Sequence, residues 1–96
     1  QRTYDKLNEM KAKQLLEILP KLDPNKRIKF QNSGGWGSDT MAVNAILEEG
    51  GAYIFIWACH PHCIKEDMNE RQKLIWYNPN NGNSKLVKEF FPEYVG

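Results

Sequence analysis

Both cysteines and both histidines of the chain fall within five consecutive residues, Cys59-His60-Pro61-His62-Cys63. Thiolate sulfur and imidazole nitrogen are the donors that Zn²⁺ favours, so Cys59, His60, His62 and Cys63 are candidate zinc ligands. The spacing argues against a complete site. Structural zinc ligands come as two pairs from separate parts of the chain, and here Pro61 stiffens the middle of one short run. Two or three of these side chains could bind, with water or a second protomer completing the shell. The alternatives are a rim loop with a buried Cys59 and exposed imidazoles, or a short-loop disulfide. The same residues also pair a thiol with an imidazole, as a cysteine nucleophile needs. Cys59 and His60 are neighbours on extended chain, however, and neighbours on a strand point to opposite faces. Asn78 could orient a histidine from a later strand. No complete catalytic constellation emerges, and the reading leans away from an enzyme with no cofactor, zinc being the alternative.

A second stretch invites chemistry. Asn32-Ser33-Gly34-Gly35-Trp36-Gly37-Ser38-Asp39 places three glycines in four residues, which suits a loop with positive-φ positions. It lacks the Lys-Ser/Thr of a phosphate-binding P-loop and the glycine spacing of a dinucleotide fingerprint. The remaining readings are a plain connection and a recognition loop. In the second, Trp36 is an exposed anchor, because tryptophan is enriched at interface hot spots. Gly35, Trp36, Gly37 and Asp39 are therefore the first candidate partner-binding residues, and His60 and His62 the second.

These segments must be positioned by regular elements. Ala52-Tyr53-Ile54-Phe55-Ile56-Trp57-Ala58 is uncharged and rich in aromatic and β-branched residues, the types that suit a strand. Strand alternation puts Tyr53, Phe55 and Trp57 on one face and Ile54 and Ile56 on the other. Both faces are apolar, so the strand is expected at the centre of a sheet covered on both sides. Thr3 can cap a helix from Tyr4 to Leu19, with Leu7, Met10, Leu15, Ile18, Leu19 and Leu22 near a 3.6 period and Pro20 ending it. Arg27-Ile28-Lys29-Phe30-Gln31 alternates, which predicts a half-buried strand with Ile28 and Phe30 inward. Thr40–Glu49 reads as helix or strand; Glu49-Gly50-Gly51 leads straight into Ala52 and favours a hairpin, hence a strand. Residues 64–72 are polar, a loop or a short surface helix. Residues 73–78 read as a strand, and Asn81-Gly82 as a tight turn. Ser84 can cap a short helix whose apolar face is Leu86, Val87, Phe90 and Phe91. Together these predict a small α+β domain over 1–96. It is an antiparallel sheet of three to four strands packed against an N-terminal helix, with a short C-terminal helix.

Composition narrows the function classes. A 96-residue chain is expected to form a single core. Its 13 basic and 12 acidic residues give a net charge of +1 with no basic stripe, so charge indicates neither nucleic acid nor a membrane surface. No stretch has the roughly 20 apolar residues of a membrane span. Two cysteines are too few for a disulfide-scaffolded miniature domain and fit a cytoplasmic protein with free thiols. The chain opens at Gln1 rather than Met, so a segment is expected to have been removed ahead of it.

Two resemblances follow from these residues. Gln14 to Ala58 contains Leu15-Leu16-Glu17-Ile18-Leu19, Asp23-Pro24, Arg27-Ile28-Lys29-Phe30 and the 43–57 hairpin. It resembles small accessory proteins of phages and mobile elements with a helix-strand-hairpin layout. That implies an inhibitor or modulator of a host protein. Ala52–Trp57 with Leu74-Ile75-Trp76-Tyr77-Asn78-Pro79-Asn80-Asn81-Gly82 resembles the last two strands of papain-like cysteine peptidases and related toxins. In those proteins a His opens the first strand, and an Asp or Asn before Pro closes the second. Asn78 matches the latter. Gly51 or Ala52 stands at the His position, and no cysteine precedes Cys59, so this resemblance implies a hairpin without the peptidase nucleophile and base. The expected function is that of a non-enzymatic protein-binding accessory protein with a protein partner. A metal- or thiol-dependent protein centred on Cys59–Cys63 is the rival.

Overall fold

The computed structural model describes residues 10–32, 43–57, 61–78 and 84–94. Helix α1 (Ala12–Ile18) runs into a single 3₁₀ turn at Leu19-Pro20-Lys21. Strand β1 (Arg27–Asn32) follows, then β2 (Ala45–Glu49), β3 (Ala52–Trp57), α2 (Pro61–Asp67), β4 (Lys73–Tyr77) and α3 (Ser84–Phe90). The strands form one mixed sheet in the order β1-β3-β2-β4. The class is the expected α+β, with the N-terminal helix and the short C-terminal helix in place.

The β2–β3 hairpin is the frame. Glu49 pairs with Ala52 and Ala45 with Ile56. The turn between them needs a left-handed residue, and Gly50 supplies it at φ +53°, a conformation that costs a side-chain-free residue little. From this hairpin, alternation sorts the core into two layers. Ala45, Leu47, Ile54 and Ile56 face one side, together with Leu74 and Tyr77 of β4. Ile64 of α2, Val87 of α3 and Phe91 cover that side. Ile46, Tyr53 and Phe55 face the other side, where Met10, Leu15, Ile18 and Leu22 of the α1 segment pack on them. A bulge in the β2–β4 pairing, between Ile46 and Leu47, breaks the alternation of β4. Consequently Ile75 and Trp76 both join the α1 side, while Leu74 and Tyr77 join the other.

Several expectations change. The helix does not run back through Lys11, whose backbone is extended (φ −88°, ψ 155°); the Gln14 side chain accepts the Lys11 N–H at 2.7 Å and starts the helix at Ala12. The Thr3 cap lies outside the described residues. The β1–β3 pair is parallel, not antiparallel, with Arg27 beside Ala52 and Phe30 beside Phe55. β3 and β4 form no hairpin with each other, because β2 lies between them. Ile28 and Phe30 are not inward: they are 49% and 75% exposed. The physical reason is position. Among the described residues β1 lies at the edge of the sheet, and α1 covers the hairpin and β4 without reaching beyond Phe55 to cap β1. Finally, Pro61-His62-Cys63 forms the first turn of α2 rather than a loop, consistent with proline's preference for the first helical position.

Candidate functional site

The strand ends that the candidate segments follow in sequence lie at one end of the sheet. β1, β3 and β4 run the same way, and β2 runs against them. The carboxyl ends of β1, β3 and β4 therefore share one rim with the start of β2. Gly35, Trp36, Gly37 and Asp39 belong to the connection that leaves β1 at this rim, and Cys59 and His60 to the one that leaves β3. All six lie outside the described residues.

His62 and Cys63 are described, on α2. His62 is exposed and its ring stands 6.1 Å from that of Phe90. The Cys63 Sγ to His62 Nε2 distance is 3.8 Å, longer than the roughly 2.6–3.2 Å of a working thiol–base pair. Among the described residues no three His, Cys, Asp or Glu side chains gather as metal ligands would. Beneath Cys63 lies Tyr77. Burial pushes the Tyr77 hydroxyl above its ordinary value, and Cys63 adds to the shift. Burial also raises Tyr94, partly offset by the Tyr77 N–H that its hydroxyl accepts at 2.9 Å. Lys26 is raised by its hydrogen bond to Glu48. All three move further from neutrality, which leaves none of them poised as a general base at neutral pH.

A buried polar group ties this rim to α1. Asn44 and Asn78 are fully buried. The Asn78 N–H donates to the Asn44 carbonyl at 2.9 Å, and the Asn44 N–H donates to the Ile56 carbonyl at 3.1 Å. Gln14 Nε2 donates to Asn78 Oδ1 at 3.3 Å. Sequence reasoning gave Asn78 a histidine to orient; the described structure gives it Gln14. This arrangement staples helix to sheet, since a buried amide without partners would cost about 1–3 kcal/mol.

The surface that sequence reasoning missed is β1. Its outer edge carries no partner strand among the described residues. Arg27 N–H donates to the Gly51 carbonyl at 2.9 Å on the β3 side. Strand alternation then turns the N–H and C=O groups of Ile28 and Phe30 outward. The Phe30 ring leans on Phe55 at 5.9 Å and 58° and is otherwise open. Arg27 and Lys29 stand on the opposite face, exposed; the ion pair formed among the described residues is Lys26–Glu48 at 2.7 Å, and it involves neither. The signal was present in the sequence, because cations in a short strand are a common mark of a sheet edge.

No protein-family model, curated protein or solved structure matches this chain. Among the described residues no helix is long and apolar enough to cross a membrane.

Proposed function

We propose that the chain is a non-enzymatic protein-binding protein that docks a partner protein through the outer edge of β1. The observation that supports it most is Phe30, 75% exposed in the middle of a strand whose outer backbone groups meet no other strand among the described residues. An exposed phenylalanine beside a half-exposed Ile28 forms an apolar patch on one face of β1, of the kind that marks an interaction site. The glycine-rich stretch carrying Trp36 leaves the carboxyl end of β1 and continues the same length of chain. An accessory protein of this kind would inhibit or modulate its partner by occupying a surface rather than by chemistry. The test is affinity capture with matched variants. Phe30→Thr should retain the fold and lose the partner that the parent chain captures, and Trp36→Ala should weaken it. Undiminished capture by Phe30→Thr would remove β1 as the docking surface.

A further inference from the structure

We infer that the partner of β1 is an extended, alternating apolar–acidic segment that adds to the sheet as a fifth, antiparallel strand. This rests on β1 being the docking surface and specifies what docks there. The outward groups of β1 are the N–H and C=O of Ile28 and Phe30, which are what a fifth strand bonds to in β-strand addition. The antiparallel ladder is the more stable per residue.

The side chains set the pattern of the added strand. Facing Ile28 and Phe30 it must place apolar residues, which cover the exposed ring and extend the layer already built on Tyr53 and Phe55. Facing Arg27 and Lys29, on the other side, it must place acids. In the antiparallel geometry these charged pairs occupy the non-hydrogen-bonded positions. Their Cα atoms approach to about 4.5 Å there, closer than at the bonded positions. Both cations lack an ion-pair partner among the described residues and are exposed. The fit is therefore a Val-Glu-Val-Glu type of segment and not a uniformly apolar one.

A second copy fits poorly. Two β1 strands related by a two-fold axis can keep both Ile28 and Phe30 opposite apolar residues in one antiparallel register, with Ile28 across from Phe30. That register sets Lys29 directly across from Lys29 of the other copy, a destabilising like-charge pair. Lys29, which opposes self-association, is also one of the two cations that recruit an acidic strand.

The test is a titration of the full chain, followed by amide NMR at low salt. The probe is the blocked peptide acetyl-Ser-Val-Glu-Val-Glu-Val-Ser-amide; the control replaces both Glu by Lys. The expected result is saturable binding of the Glu peptide, with the largest amide shifts at Ile28 and Phe30, and weak or no binding of the control. Lys29→Glu, which leaves Arg27 in place, should weaken the Glu peptide about tenfold and abolish the preference between the two peptides. No binding, equal binding of both peptides, shifts centred elsewhere, or a dimeric mass for the free protein would each overturn strand addition. Capture lost in Phe30→Thr with no peptide binding would sink strand addition while leaving the docking surface standing. Capture retained in Phe30→Thr would sink the docking surface itself.

Discussion

Replacing Phe30 by Thr separates a residue placed for binding from one placed for folding. Threonine keeps a strand-favouring, β-branched backbone, so the change removes little but the ring. At 75% exposure Phe30 retains about a quarter of its burial. Fully burying a phenylalanine is worth about 1.5–3 kcal/mol, so that quarter is worth about 0.4–0.8 kcal/mol. The tilted contact with Phe55 adds about 0.5–1.5 kcal/mol. The expected cost is thus about 1–2 kcal/mol. Phe55, only 7% exposed and the partner in that contact, should cost about 3–5 kcal/mol on truncation to Ala. Against a total stability of roughly 5–15 kcal/mol, the first variant stays folded and the second approaches unfolding. Urea titration followed by circular dichroism reads both. With a slope of about 1–3 kcal/mol per molar, the Phe30→Thr midpoint should fall by roughly 0.5–1 M and the Phe55→Ala midpoint by more than twice that. Equal losses would mean that Phe30 belongs to the core, and the docking argument would collapse.

Three further outcomes follow from the packing. Tyr77 and Tyr94 are raised above the ordinary tyrosine value of 10.0. The unfolded chain therefore releases those protons first. Stability is fully present below pH 10.0 and falls as pH rises above it, and Tyr77→Phe should flatten that alkaline limb in urea titrations on either side of this pH. Gln14→Leu deprives the Lys11 N–H of its acceptor and Asn78 of a donor; the expected loss is about 1–3 kcal/mol by the same titration. Gly50→Ala meets no atom within 4 Å but must adopt φ +53°. It should cost about 1–2 kcal/mol, and Gly50→Asn distinctly less, as thermal melts would show.

What the sequence made legible was set by local patterns. An uncharged run with apolar residues on both alternating faces pointed to a covered central strand, and Ile54, Ile56, Tyr53 and Phe55 are sorted between the two layers as their parity requires. The Gly50-Gly51 turn specified the hairpin. Around α3 the apolar spacing found the buried Val87 and, just past the helix, Phe91, with Leu86 at the margin. The misreadings concern relations between distant elements. Alternation in Arg27–Gln31 says that two faces differ, not that anything covers the apolar one. Coverage depends on where β1 sits in the strand order. The parallel pairing was equally invisible, because the chain passes through β2 before β3 returns to lie beside β1. Gln14 is a buried donor to Asn78, a contact between residues 64 apart in sequence that no local pattern encodes. Of the candidate site residues, His62 and Cys63 stand at the strand-end rim, 3.8 Å apart. Trp36 with its glycines, Asp39, Cys59 and His60 lie outside the described residues.

Residue-resolved amide hydrogen exchange along β1 tests the central claim most directly. Arg27, Lys29 and Gln31 point their N–H groups toward β3 and should be protected, while Ile28 and Phe30 should exchange at rates near those of an open chain. Saturating Glu peptide should bring Ile28 and Phe30 to the protection of their neighbours. Strong protection of Ile28 and Phe30 in the free protein would show the edge to be already covered, and would contradict the account.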